Sequence, residues 1–272
     1  MWMAGYASRV HQSEGTLHDL WAKALALEDA SGKQAVLVTA DLVGIPQNIS
    51  NQIRDQLESR FHLSRSQIIL NSSHTHSGPV LEDALSSIYQ LDAQQLIDVK
   101  QYSDKLITQI VTLVQDALSA MEPVRLYSEN GVTNFQVNRR NNDEFSLPEQ
   151  TELKGPNDYA VPVIKVERMT GDLLAIAFGY ACHNTVLNDY EWSGDYAGFA
   201  QLELEKQYPG VTALFFQGAG GDQNPLPRRT VALAQLYGKT LATAVEKVLN
   251  EDMCNLPSVL STAYSEIKLP LT

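Results

Sequence analysis

Four apolar runs, each stopping abruptly in polar or glycine-rich residues, constrain this chain more than any other feature. "KQAVLVTAD" ends at Asp41, "QIILNSSHTH" at His74 and His76, and "DLLAIAFGYACH" at His183. "VTALFFQGAGGDQNP" ends in a glycine turn followed by Asp222, Gln223 and Asn224. Continuous apolar runs bounded by Gly, Pro or Asn suit strands buried on both faces. Such strands need helices to cover them, and the gaps supply candidates. Residues 46–62, opening with Pro46, carry Ile49, Ile53, Leu57 and Phe61 at four-residue spacing. Residues 92–121 place Leu96, Val99, Leu106, Ile110, Leu113 and Ala117 on one stripe, and 195–207 and 229–250 also read as helical. Two strand pairs read as hairpins: "LWAKALALED" into "QAVLVTAD" across Ala30–Lys33, and "YAVPVIKVER" into "DLLAIAFGYACH" across Thr170–Gly171. Together these predict an α/β (α+β-like) fold, a mixed β-sheet core with hairpins flanked by α-helices, and not a regular barrel.

Composition narrows the partners. The 272 residues are 44% hydrophobic and 19% charged, with a formal net charge of −12. That acidity argues against nucleic acid or an anionic membrane surface as the main partner, since both would repel the chain. It leaves a small-molecule or lipid substrate open. Apolar stretches are strand-sized, so no membrane span is expected. "MWMAGYASRV" shows no charged region leading into an apolar core, so no signal peptide is read there. The compartment is left open: cytoplasmic as the chain stands, or secreted if a leader has been removed. Two cysteines, Cys182 and Cys254, make no disulfide framework or zinc-knuckle spacing. Neither a repeat nor a low-complexity linker appears, so residues 1–272 read as one domain. It is read as incomplete at one or both ends, because "STAYSEIKLPLT" stops in what reads as a strand.

The candidate chemistry gathers where the runs stop. Residues i and i+2 share a strand face, so His74 and His76 would point into one pocket. Imidazole serves as a metal ligand or as an acid/base group, and His183 ends a second run in the same way. The plainer alternatives are a polar turn at His74 and His76 and a hydrogen-bonded core histidine at His183. Cys182 would face away from its neighbour, which makes the pair a poor nucleophile–base couple. The glycines at 218, 220 and 221 permit a tight turn presenting Asp222, Gln223 and Asn224. No Lys follows them as a phosphate loop requires, and "GKT" at 238–240 sits inside a helical pattern. Arg139, in "FQVNRRNND", ends a short strand where a guanidinium would suit a carbonyl or oxyanion; a solvated Arg139–Arg140 pair is the alternative. Asp195 reads as a helix N-cap.

In their order, "MAGYASR", "LVTADLVGI", "SSHTHSGP", "VNRR", "GYACHNTVL", "SGDYAG" and "QGAGGDQNPLPR" resemble the neutral (non-lysosomal) ceramidases and their shorter bacterial relatives. The resemblance spans nearly the whole chain and implies a zinc-dependent hydrolase of an N-acyl amide, ceramide or a related compound. By it, His74 and His183 are zinc ligands, His76 is a catalytic residue beside the Zn2+, and Arg139 lies near the scissile carbonyl. Where the family carries GD-x-S-P with a serine important for activity, this chain has "GDQNP", which puts Asn224 in that catalytic position. The family's remaining ligands, a glutamate and a tyrosine, are expected beyond residue 272, and its C-terminal accessory domain has no counterpart here. Two other readings stand beside this one: an amidohydrolase barrel, which needs more strand-end histidines, and a non-catalytic relative with a vestigial site.

Overall fold

In the computed structural model, which describes residues 1–84, 88–149, 152–268 and 270, the chain forms twelve strands and four helices. They run β1 (Gly15–Thr16), β2 (Ala22–Glu28), β3 (Gln34–Ala40), α1 (Gln47–Phe61), β4 (Ile68–Ser72) and α2 (Ala93–Ser119). There follow β5 (Val124–Val132), β6 (Gln136–Asn138), β7 (Ala160–Arg168), β8 (Leu173–Tyr180), β9 (Glu191–Trp192) and α3 (Asp195–Gln207). The last are β10 (Thr212–Gln217), β11 (Gln223–Pro225), α4 (Val231–Leu249) and β12 (Cys254–Asn255). Both predicted hairpins form, as the antiparallel pairs β2–β3 and β7–β8. The four apolar runs pair two by two in parallel, β3 with β4 across α1 and β8 with β10 across α3.

The two larger of the four sheets among the described residues are ordered β2-β3-β4 and β10-β8-β7-β5-β12, and β1-β9 and β6-β11 form two-stranded pairs. Side-chain alternation then builds four layers. On β3, Val36, Val38 and Ala40 pack against Ile49, Ile53 and Leu57 of α1 and Ile107, Ile110 and Val114 of α2. The opposite face, through Leu25 and Leu37, meets Ala175, Ala177 and Leu214 of the larger sheet. That sheet in turn presents Ile176, Phe178, Ala213 and Phe215 to α3 and α4. The order is helices, small sheet, large sheet, helices. Each fully buried aliphatic or aromatic side chain in these layers contributes roughly 1.5–3 kcal/mol. Stacked sheets exclude the amidohydrolase-barrel reading.

Asn71 stitches the two sheets where their parallel strands end. Its Nδ2 donates to Gln217 O (3.2 Å) and its Oδ1 accepts from Gln217 N (2.8 Å). The C-terminal ends of β4, β8 and β10 therefore face the same way, and the loops leaving them meet. A cleft of about 740 Å³ between the sheets lies at their opposite ends, lined by residues such as Leu25, Leu174 and Leu214.

Some expectations need correction. Burial on both faces fails for β4, where Ile69 is 58% exposed because β4 is an edge of the small sheet. Leu96 is exposed although its spacing puts it on the α2 stripe, which is buried only from Val99 onward. Pro46 occupies the N-cap position with an extended ψ of 153°, and α1 starts one residue later. The described residues of "STAYSEIKLPLT" form no strand and run exposed along the surface. β5, "VRLYSENGV", escapes the sequence pattern because polar residues and Gly131 interrupt it, yet it pairs along its whole length with β7.

Candidate active site

Three loops bring the site together: residues 73–80 after β4, 181–190 after β8, and 218–222 after β10. His74 and His76 do not use strand alternation, because β4 has already ended at Ser72. Instead His74 takes a left-handed backbone conformation (φ 60°), and the loop is pinned on both sides. Thr75 Oγ1 donates to Ser193 O (2.7 Å), His76 N to Asn184 O (3.3 Å) and Ser193 N to Ser77 O (3.1 Å). His183 is fixed by the glycine loop, its N–H donating to Gln223 O (2.9 Å). The carbonyl before it, of Cys182, accepts from Tyr196 Oη (2.7 Å) and Gln217 Nε2 (2.8 Å).

The three rings converge. Centroids lie 4.8 Å apart for His74–His183, 4.9 Å for His74–His76 and 5.9 Å for His76–His183. One ring nitrogen of each lies within 4.8 Å of the others, a grouping that can hold a metal ion. The outer ring nitrogens of two are already committed: His74 Nδ1 to Val43 O (2.5 Å) and His183 Nδ1 to Gly220 O (2.8 Å). A carbonyl accepts only from N–H, so both rings carry the proton on Nδ1 and leave the Nε2 lone pair free. Backbone carbonyls orient metal-binding imidazoles in this way, so these residues fit a cation. His76 Nε2 lies 3.4 Å from His74 Nε2, and its buried Nδ1 has no hydrogen-bond partner among the described residues.

Burial sets the protonation. Desolvation first, then the neighbouring His74 and His183, hold the His76 pKa down to about 3. His183 is lowered to about 4, again chiefly by desolvation, with the Arg139 guanidinium adding repulsion. Both imidazoles are therefore neutral near pH 7, as ligation or proton acceptance requires.

Arg139 and Asn224 adjoin the same glycine loop. Arg139 follows β6, its N–H donating to Asp222 O (2.8 Å) and its Nε to Gly221 O (3.1 Å). Asn224 lies on β11, paired with β6 opposite Val137; it is only 6% exposed, and its Oδ1 has no partner among the described residues. Both border a depression of about 550 Å³. In this loop Gly220 is needed for close approach rather than for left-handed geometry, whereas a Cβ on Gly221 would meet nothing within 4 Å. A Cβ on Gly220 would come within 2.6 Å of Cys182 N, and none of residues 218, 220 and 221 has a positive φ. Asp195 is the first residue of α3 rather than its N-cap. With φ 55°, its carboxylate accepts from Leu187 N (2.8 Å) and Tyr196 N (2.6 Å), tying the loop after β8 to the helix.

Periodicity gave no hint of what the N-terminal segment does. Gly5 lies directly under the His76 ring, and the Tyr6 ring is 4.9 Å from it. Arg9, 95% buried by its 5% exposure, donates through Nη1 to Ala4 O (2.5 Å) and His76 O (2.6 Å) and through Nη2 to Asp189 O (2.8 Å). The only sequence signal was "MAGYASR" itself, a cluster of small residues around one aromatic and one cation.

With this geometry in place, comparison with known proteins is informative. The model for "Neutral/alkaline non-lysosomal ceramidase, N-terminal" matches residues 1–227. The chain belongs to that family. Relatives include neutral ceramidase B of Dictyostelium discoideum, 27% identical over 242 residues that cover 83% of this chain and 33% of the relative. Neutral ceramidase of Pseudomonas aeruginosa is 24% identical over 232 residues, 82% of this chain and 34% of its own length. The crystal structure of the Pseudomonas enzyme shares the fold, with a TM-score of 0.76 at 20% identity over 93% of this chain and 42% of that one. The chain thus spans about a third of the length of these curated relatives.

Proposed function

We propose that this chain carries the metal-binding site of a zinc-dependent hydrolase that cleaves an N-acyl amide of the ceramide type. The observation that carries the reading is the His74–His183 pair, each ring locked by a carbonyl on Nδ1 so that two Nε2 lone pairs face one space. His74 and His183 would hold the zinc ion. When bound, zinc supplies Lewis-acid polarisation at the scissile carbonyl and eases the ionisation of water.

The remaining work falls to side chains of this chain. His76, neutral at working pH and packed against Gly5 and Tyr6, is the group that accepts or returns a proton at Nε2. Arg139 keeps its two terminal amino groups unpaired among the described residues, since only its Nε is bonded. They are available to a carbonyl oxygen as it gains charge. Asn224, in the position of the family serine, can donate from Nδ2 but cannot act as a nucleophile. Family membership and the convergence of the three imidazoles support the reading together.

The test is hydrolysis of a short-chain ceramide by the full-length protein, before and after chelation and zinc replacement. The proposal expects activity to vanish with chelator, return with zinc, and be lost in His74→Ala. Unchanged turnover in chelator-treated, metal-free protein would refute it.

A further inference from the structure

Beside the glycine loop lies the depression bordered by Arg139, Arg140, Asp143, Glu144 and Asn224. Of its two carboxylates, Glu144 is consumed by a bidentate pair with Arg228, at 2.8 Å from Nε and 2.5 Å from Nη2. Asp143 accepts a backbone hydrogen bond from Phe145 N (3.1 Å) and pairs with no cation among the described residues. Against it stand two guanidinium groups. Arg140 makes no side-chain hydrogen bond or ion pair among the described residues, and Arg139 uses only Nε. The Asp222 carboxylate also acts on Arg139, but the neighbouring Arg140 and Arg228 outweigh it, so the field at Arg139 is positive in a protein whose formal net charge is −12.

A second observation points to a ligand. Asn224 is 94% buried by its 6% exposure and borders this depression, and its Oδ1 has no partner among the described residues. With nothing holding that oxygen, the two ends of the amide can exchange by rotation, which turns Nδ2 to the same place. A buried amide end without a partner is costly unless something supplies one. Arg139 and His183 bond successive carbonyls of one loop, Gly221 O and Gly220 O, and the Arg139 charge reaches His183, so the depression adjoins the histidine cluster.

From this we infer that the substrate carries an oxyanion close to its scissile amide, bound by Arg140 and Asn224 Nδ2, with Arg139 left to the scissile carbonyl. The inference rests on the amide-hydrolase reading above and narrows it. Because the acyl part of such a compound is hydrocarbon, the charge falls on the amine part. The substrate class is then an N-acyl amino acid or a phosphorylated N-acyl amino alcohol rather than a neutral N-acyl base. The planar, paired donors of the Arg140 guanidinium suit carboxylate and phosphate alike.

Calorimetric binding to the full-length protein at low ionic strength separates these outcomes, with three probes of equal acyl length: N-octanoylglycine, N-octanoylethanolamine phosphate and uncharged N-octanoylethanolamine. At least one anionic probe should bind about tenfold tighter than the neutral one, and the better of the two identifies the oxyanion. Arg140→Gln should bring the ratio down several-fold, and raised salt should shrink it in the wild type. Equal affinity for all three probes, or an anionic preference untouched by Arg140→Gln, overturns the inference. Hydrolysis of the same probes keeps the two proposals apart. Cleavage of all three at equal efficiency sinks the anion pocket but not the hydrolase; Arg140-dependent binding with no cleavage sinks the hydrolase but not the pocket.

Discussion

Replacing Gly5 with alanine tests how tightly the N-terminal segment supports His76. Gly5 has φ +99°, and a Cβ there would fall 2.5 Å from His76 Cβ and Cγ and 2.6 Å from Nδ1. The ring cannot retreat with its backbone, because His76 N and O are both bonded, to Asn184 and Arg9. Two costs add. A left-handed alanine costs about 1–3 kcal/mol. Overlap with a packed ring costs about 1–3 kcal/mol more. Gly32→Ala is the matched control: it too has a positive φ (+80°), but a Cβ there meets nothing within 4 Å. The alanine's effect on the unfolded chain, about 0.4–1 kcal/mol, is common to both and cancels. Urea unfolding of metal-free protein should therefore show Gly5→Ala less stable than Gly32→Ala by about 1–3 kcal/mol. Histidine-selective NMR should show the His76 ring displaced in Gly5→Ala alone. Equal destabilisation within about 0.5 kcal/mol, with the His76 signals unmoved, would refute the close approach and the support it implies.

Three further outcomes follow from the same geometry. The His76 pKa is lowered to about 3, so below the ordinary value of 6.5 the unfolded chain binds the proton and the folded one does not. Metal-free protein should lose about 1.4 kcal/mol of stability per pH unit from this group as pH falls through that window, and His76→Gln should flatten the slope in a pH series of urea midpoints. Asn71→Ala removes both links to Gln217 and leaves Gln217 N–H without a partner, which should cost about 1–3 kcal/mol in the same assay; a loss under about 0.5 kcal/mol would show that the sheets need no stitch there. Glu144→Gln leaves Arg228 without its carboxylate, and hydrogen exchange of residues 139–149 should quicken while that of α4 does not.

Much of this was legible in the sequence wherever one physical signal dominated. Long apolar runs gave β3, β4, β8 and β10, and the four helices were placed within two residues of their observed ends because their apolar residues repeat at helical spacing. The strand-end positions of His74, His76 and His183 were likewise readable. What could not be read depends on contacts far apart in sequence. Nothing local says that the face of Leu37 meets Leu214 of another sheet, or that Gly5 will underlie His76. The left-handed turn at His74 is set by pins from residues 184 and 193, so strand alternation gave the right convergence for the wrong geometric reason. β5 was hidden because its central residues are polar and pair through their backbone rather than through apolar side chains.

The central claim is that His74 and His183 hold a metal ion. Elemental analysis of full-length protein purified without chelator, beside the His74→Ala/His183→Ala variant, tests it most directly. The account predicts about one zinc per chain in the wild type and none in the folded double variant. Well-folded wild type without metal, or a double variant that keeps it, would contradict the assignment.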